Sequence, residues 1–241
     1  MDIFTRSETL IAVRNNLLWI FVYTVFVTAI GLVVATLSDR VGYEKLVRTI
    51  VVLPTAISFV GAGVIWSFMY AYEPPGLPQT GTVNALLTGL LPSVDPIAWL
   101  ADKTTVNGAL IFIGLWMSVG LASVILSAAV KSVPWASIDG ATDLQSFWKI
   151  GIPLAAPALA AVGVFQFMWV WNDLLVSLIF LGGAPDVAPL TVAVSSLLNS
   201  RGEGWEVLTA AAFILMIVPI IVFFALQRYF VRGLTAGAVK S

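Results

Sequence analysis

Thr104–Val130 reads TTVNGALIFIGLWMSVGLASVILSAAV, 27 consecutive residues without a charge. A hydrocarbon core about 30 Å thick is crossed by about 20 apolar helical residues. In lipid such a run must satisfy its own backbone N–H and C=O groups, which a helix does and an irregular segment does not. Four further charge-free runs lie on either side: Asn15–Ser38 (24 residues), Thr49–Tyr72 (24), Ile150–Asn172 (23) and Val207–Gln227 (21). Each is long enough to span. The expectation is an all-α membrane protein with five transmembrane helices, near 16–37, 49–71, 106–130, 157–181 and 208–228.

The composition agrees. Hydrophobic residues make up 59% of the 241 and charged residues 10%, with a mean hydropathy of +0.99. A soluble chain carries about 25% charged residues, so this one cannot coat a water-facing surface. Two weaker stretches complete the pass. Pro74–Val94 carries no charge, but Pro74, Pro75, Pro78 and Pro92 interrupt it, so it reads as a loop with a short interfacial helix. Val187–Leu198 is too short to span and reads as a re-entrant or surface helix.

Lysines and arginines orient the spans, because loops rich in them stay inside. Arg40, Lys45, Arg48, Lys131, Lys149, Arg228, Arg232 and Lys240 fall on one side; Arg6, Arg14, Lys103 and Arg201 fall on the other. The eight-charge side is expected to be cytoplasmic. The chain then divides into an extracytoplasmic segment 1–14, a transmembrane domain 15–228 containing a cytoplasmic loop 131–156, and a cytoplasmic tail 229–241. Met1–Arg14 is polar and shows no signal peptide. An outside N-terminus without one implies that a first spanning helix is missing.

Absences narrow the chemistry. The chain has no cysteine and no histidine, which removes thiolate nucleophiles, the usual zinc and haem ligands and Ser-His-Asp catalysis. No cofactor or metal is expected. The net charge of −1 gives no basic patch for nucleic acid. There is no Gly-Lys pair and hence no phosphate-binding P-loop. If ATP drives this protein, another chain hydrolyses it.

Val133–Pro157 reads VPWASIDGATDLQSFWKIGIPLAAP. Thr142 and Gln145 have capping-box spacing. Phe147, Trp148 and Ile150 supply an apolar face. Pro153 is expected to end that short helix, and Pro157 to begin the next span. By itself this is an amphipathic membrane-surface helix. The order Ile138-Asp139-Gly140-Ala141, Phe147, Ile152-Pro153-Leu154 and Pro157 resembles the EAA loop of ABC importer permeases. That resemblance implies a coupling helix that docks on a cytoplasmic ATPase subunit, with Asp139, Gly140, Ala141 and Phe147 as its docking surface. Pro134, Trp135 and Ala136 stand where the family places Glu-Ala-Ala, so the loop is several residues short.

Phe165-Gln166-Phe167-Met168-Trp169-Val170-Trp171-Asn172-Asp173-Leu174-Leu175 resembles the fifth core helix of sugar-importing permeases of the maltose/α-glucoside type. Leu226–Lys240 resembles the tail of the same subunit. Leu53–Val60, then Trp66, Tyr70 and Pro74-Pro75-Gly76, resembles instead the partner permease of such importers. The chain therefore reads as a possible hybrid of the two subunits, joined near Val133–Ile138.

These resemblances imply a type I ABC importer permease core in the cell inner membrane. They imply cytoplasmic ABC ATPase subunits, a second permease, an extracytoplasmic sugar-binding protein and membrane lipid as partners. An α-glucoside or related oligosaccharide would cross by alternating access. Trp169, Asn172 and Asp173 are the translocation-pathway candidates. Asp173 is the one acid predicted inside a span, where charge is costly and marks a cavity or a partner. Trp169 and Trp171, two residues apart, cannot share a helix face. The competing readings are an ion-driven secondary transporter, which needs midplane ionisable groups, an intramembrane enzyme, and a truncated or hybrid permease with impaired coupling.

Overall fold

The computed structural model describes residues 7–39, 41–131, 145, 147–173, 190–195 and 205–238. Every regular element among them is helical: α1 Ser7–Leu18, α2 Thr24–Ser38, α3 Glu44–Val52, α4 Phe59–Met69, α5 Thr82–Leu90, α6 Val106–Lys131, α7 Ile152–Trp171, α8 Leu190–Ser195 and α9 Trp205–Ala238. Leu10–Ser38, α6, α7 and Leu208–Ala225 are each long and apolar enough to cross a membrane, and α3 with α4 makes a fifth candidate. The chain forms two compact units.

The first unit holds residues 1–19, 57–115 and 172–209. Its centre is an aromatic group around the buried Trp66 and Tyr70. Trp66 lies 5.1 Å from Tyr70 and meets Phe112 edge-on at 5.5 Å, while Tyr70 lies 5.8 Å from Trp99. Below it the proline-rich loop is tied by Asn84 of α5, which is 0% exposed. Its amide donates to the carbonyls of Ala71 (3.2 Å) and Ile97 (2.9 Å) and accepts from Ile97 N–H (3.0 Å) and Trp99 Nε1–H (3.1 Å). One side chain thus serves four groups of the buried loop, of which the Ile97 carbonyl also accepts from the Trp99 backbone N–H at 3.0 Å. The short helix expected in Pro74–Val94 is α5. In the same unit α1 packs on the short α8.

The second unit holds residues 20–56, 116–171 and 210–241. Small residues let its helices approach. A Cβ added at Gly31 of α2 would lie 2.9 Å from Ala122 Cβ, and one added at Gly120 of α6 would collide with the Val51 carbonyl and lie 2.7 Å from Val52 Cα. Such contacts are the usual device of helix packing in lipid. α7 packs on α2.

Four expectations change. The span near 49–71 is not one helix: α3 passes through a 3-10 turn, Leu53–Ala56, and the chain bends by 100° before α4. Pro54 lacks the N–H that would continue the ladder, and Ser58 restarts it as an N-cap, its Oγ accepting from Gly61 N–H at 3.1 Å. The first helix begins at Ser7 rather than near residue 16, with a π-turn, Trp19–Tyr23, inside it. The last runs on to Ala238 instead of stopping near 228. Pro153 does not end a helix. It lies at the junction of the π-turn Phe147–Gly151 with α7, and Pro157 sits inside that helix.

Candidate functional site

The early start of α7 moves the proposed pathway residues. Its 20 residues, Ile152–Trp171, rise about 30 Å at 1.5 Å each, one hydrocarbon thickness. The helix therefore ends at Trp171. Asp173, expected inside the span, lies two residues beyond its end, and its carbonyl accepts a hydrogen bond from Thr191 Oγ1 of α8. Residues 174–181 of the expected helix lie outside the described residues.

The two tryptophans divide as their spacing requires. Trp171 stacks on Phe167 at 5.8 Å, and its Nε1–H donates to the Leu215 carbonyl of α9 at 3.2 Å. Trp169 pairs with Phe165 at 6.2 Å, and both rings stay open, 44% and 50% exposed. Trp171 is committed to helix packing. Trp169 belongs to the second unit, whereas Asn172, which is exposed, and Asp173, half-buried, belong to the first.

Of the coupling-loop residues, Asp139, Gly140 and Ala141 lie outside the described residues, as does Thr142. Phe147 opens a π-helical turn, Phe147–Gly151, that leads directly into α7. The loop's other stem is Lys131, the last residue of α6.

That stem carries a cluster which the sequence reading used only for orientation. Arg48 reaches Glu44 at 2.7 Å, Ser127 Oγ at 2.7 Å and Asp39 at 3.4 Å. Ser127 donates to Asp39 at 3.2 Å. Lys131 reaches Glu44 at 2.6 Å and Asp39 at 3.3 Å. The signal was legible: Glu44/Arg48 and Ser127/Lys131 are both i,i+4 pairs, which place each couple on one helix face. Two of the charges suit their helix ends, Glu44 in the first turn of α3 and Lys131 in the last turn of α6. Asp39 does not. It caps the C-terminus of α2, where the helix dipole disfavours a carboxylate, and Arg48 and Lys131 offset this. At this exposure each pair contributes about 0–1 kcal/mol.

Comparison with known proteins gives the context. Residues 27–236 match the family described as "Binding-protein-dependent transport system inner membrane component". The chain is 39% identical over 225 residues to the osmoprotective compounds uptake permease protein GgtC of Synechocystis sp., covering 91% of this chain and 80% of that protein. It is 51% identical over 169 residues to GgtD of the same organism, covering 66% of this chain but 55% of that protein. It is 38% identical to the alpha-glucoside transport system permease protein AglG of Rhizobium meliloti, over 83% of this chain and 57% of that one. The chain thus spans little more than half of the last two. A solved chain from a bacterial ABC transporter that imports the acidic polysaccharide alginate superposes with a TM-score of 0.71 at 22% identity, covering 99% of this chain and 82% of that one. It shares the fold, the type I importer permease core. The relatives are permeases rather than enzymes, which leaves ATP hydrolysis to a separate chain. On the family match and the GgtC similarity, the chain belongs to the inner-membrane components of binding-protein-dependent transport systems.

Proposed function

We propose that this chain is one transmembrane subunit of an ATP-driven importer for a neutral sugar or sugar-like osmoprotectant of the α-glucoside class. It works by alternating access in the inner membrane, with its C-terminus in the cytoplasm. The observation that carries this is the similarity to GgtC across 80% of that permease. The loop between α6 and α7 serves as the coupling element, with Asp139, Gly140, Ala141 and Phe147 toward the ATPase. Closure of the ATPase pair would move the spans as rigid bodies through that loop. Trp169 offers an open aromatic face suited to a pyranose ring, and Asn172 and Asp173 lie at the end of the same span. A second permease and an extracytoplasmic sugar-binding protein complete the system.

The test is uptake of radiolabelled trehalose, maltose and sucrose by cells expressing the chain with the ATPase, permease and binding protein of its own locus. Uptake that survives a proton ionophore and fails on ATP depletion or in Gly140→Trp supports the reading. Uptake abolished by the ionophore alone overturns it in favour of an ion-driven transporter.

A second reading has its own support. The chain is similar to both permeases of one organism, at 39% and 51% identity. This favours a composite of the two subunit types joined near Val133–Ile138. Two full-length permease genes beside this one would support that; this gene as the single permease of the locus would sink it.

A further inference from the structure

The charge cluster at the foot of α6 does more than mark the cytoplasmic side. Besides the Tyr23–Ser118 hydrogen bond at 2.7 Å, three close contacts help hold α6 within the second unit. Gly31 of α2 meets Ala122, Gly120 meets Val51 and Val52 of α3, and the cluster joins Asp39, Glu44 and Arg48 to Ser127 and Lys131. The first two are backbone-close and apolar and fix the helix bodies. The third lies where the loop departs, at Lys131, and binds both the end of α2 and the start of α3 to it. Partly exposed ion pairs contribute little to stability, and Asp39 stands against the dipole of its own helix. A cluster built only for stability or topology has no need of Asp39. A cluster built to make α2 and α3 follow the loop stem needs it, because Asp39 is the group on α2 that both Lys131 and Ser127 reach.

We infer that Asp39, Glu44, Arg48 and Lys131 form a positioning clamp that transmits movement of the coupling loop to α2 and α3. This rests on the coupling reading above. Lys131 is its pivot, since it belongs to the loop stem and contacts one acid on each neighbouring segment. Arg48 locks the same two acids to Ser127 one turn up α6. Loss of either cation removes one of the two side-chain ties between the stem and α3, Lys131–Glu44 or Arg48–Ser127, without disturbing the glycine contacts above.

The absence of cysteine makes the test direct. One environment-sensitive fluorophore is attached at Leu46→Cys, an exposed position of α3, and in a separate sample at Leu154→Cys, an exposed position in the first turns of α7. The complex is purified with its own ATPase and partner permease, and the fluorescence change on adding ATP is recorded. Both reporters are expected to respond in the otherwise unaltered protein. Lys131→Met and Arg48→Met are expected to cut the Leu46 response at least about fivefold, the lower end of measured coupling between sites. The Leu154 response and ATPase retention stay intact, and Lys131→Arg restores the Leu46 response. An unchanged Leu46 response in both Met variants overturns the clamp. So does loss of both responses together with the ATPase, which marks a fold defect. If the unaltered protein retains no ATPase and neither reporter responds, the coupling reading itself has failed and the clamp falls with it.

Discussion

Two polar knots tie this protein's loops to its helices, and they are built on opposite principles. In the first unit Asn84 is neutral, fully buried and completely satisfied, with four hydrogen bonds spread over Ala71, Ile97 and Trp99. In the second unit Asp39, Glu44, Arg48 and Lys131 are charged and redundant, with exposure rising from 15% at Asp39 to 49% at Lys131. A buried amide network has no substitute partners, because water is absent, so one missing group strands several others. An exposed ionic network is screened and re-formed easily. The first suits a part that stays put and the second a part that moves.

The largest effect that would break this comparison comes from Asn84→Leu. It removes a partner from two carbonyls and two N–H donors, of which the Ile97 carbonyl keeps the Trp99 backbone N–H at 3.0 Å. At about 1–3 kcal/mol for a stranded group, partly relieved by water entry, the expected loss is about 3 kcal/mol or more, read as a lowered thermal midpoint in detergent. A loss below about 1 kcal/mol would show that the loop is held elsewhere, by the Trp66–Tyr70–Trp99 aromatic group.

Next come two substitutions on α6 that differ only in surroundings. Gly120→Ala drives a methyl into the backbone of Val51 and Val52, whereas a Cβ at Gly108 meets nothing within 4 Å. The expected cost at Gly120 is about 1–3 kcal/mol from overpacking. Gly108→Ala is expected to be neutral or to stabilise by up to about 1 kcal/mol through helix propensity. Equal effects from the two would refute the close approach of α3 to α6 that sets the clamp's geometry.

The charged knot should respond less than either. Lys131→Met is expected to cost under about 1 kcal/mol, and that cost should shrink between 10 mM and 1 M salt as the Debye length falls from about 30 Å to about 3 Å. A large, salt-independent loss would place this knot in the same class as Asn84 and remove the contrast.

How much of this was legible follows the same division. The spans were readable because lipid punishes charge, so runs such as Thr104–Val130 announce themselves. The positions of their ends were not. Pro157 looks like a helix start because proline favours N1, yet α7 begins at Ile152, with Pro153 at its junction with the π-turn and Pro157 tolerated inside the helix. The start moved by five residues and the end by ten, from 181 to 171, and the earlier end is what leaves Asp173 beyond the helix. The bend at Ile57–Ser58 was marked by Pro54, but its 100° extent depends on Ser58 capping a new helix, which sequence alone cannot distinguish from a mild kink. Asn84 was unreadable: a lone asparagine in a proline-rich loop gives no hint that four partners converge on it. Arg48 and Lys131 were visible as charges. Their meeting required knowing that α3 lies against α6.

The smallest effect expected is at Asp102, in the loop that leads into α6. Its carboxylate accepts from the Thr104 backbone N–H and Thr104 Oγ1, both at 2.8 Å. The backbone bond first and the hydroxyl second hold its pKa below the ordinary 3.8, against a small opposing desolvation. A depressed acid stabilises the fold above its unfolded pKa, and that contribution is lost as pH falls through the folded value. Asp102 therefore contributes nothing to any change between pH 5 and 8, and its contribution fades only below about pH 4. Subtracting the thermal-midpoint profile of Asp102→Asn from that of the parent isolates it: a constant gap above pH 5 that closes on acidification is expected. A gap that changes between pH 5 and 7 would mean that this carboxylate titrates far above its hydrogen-bonded range, and that the start of α6 is held by some other group.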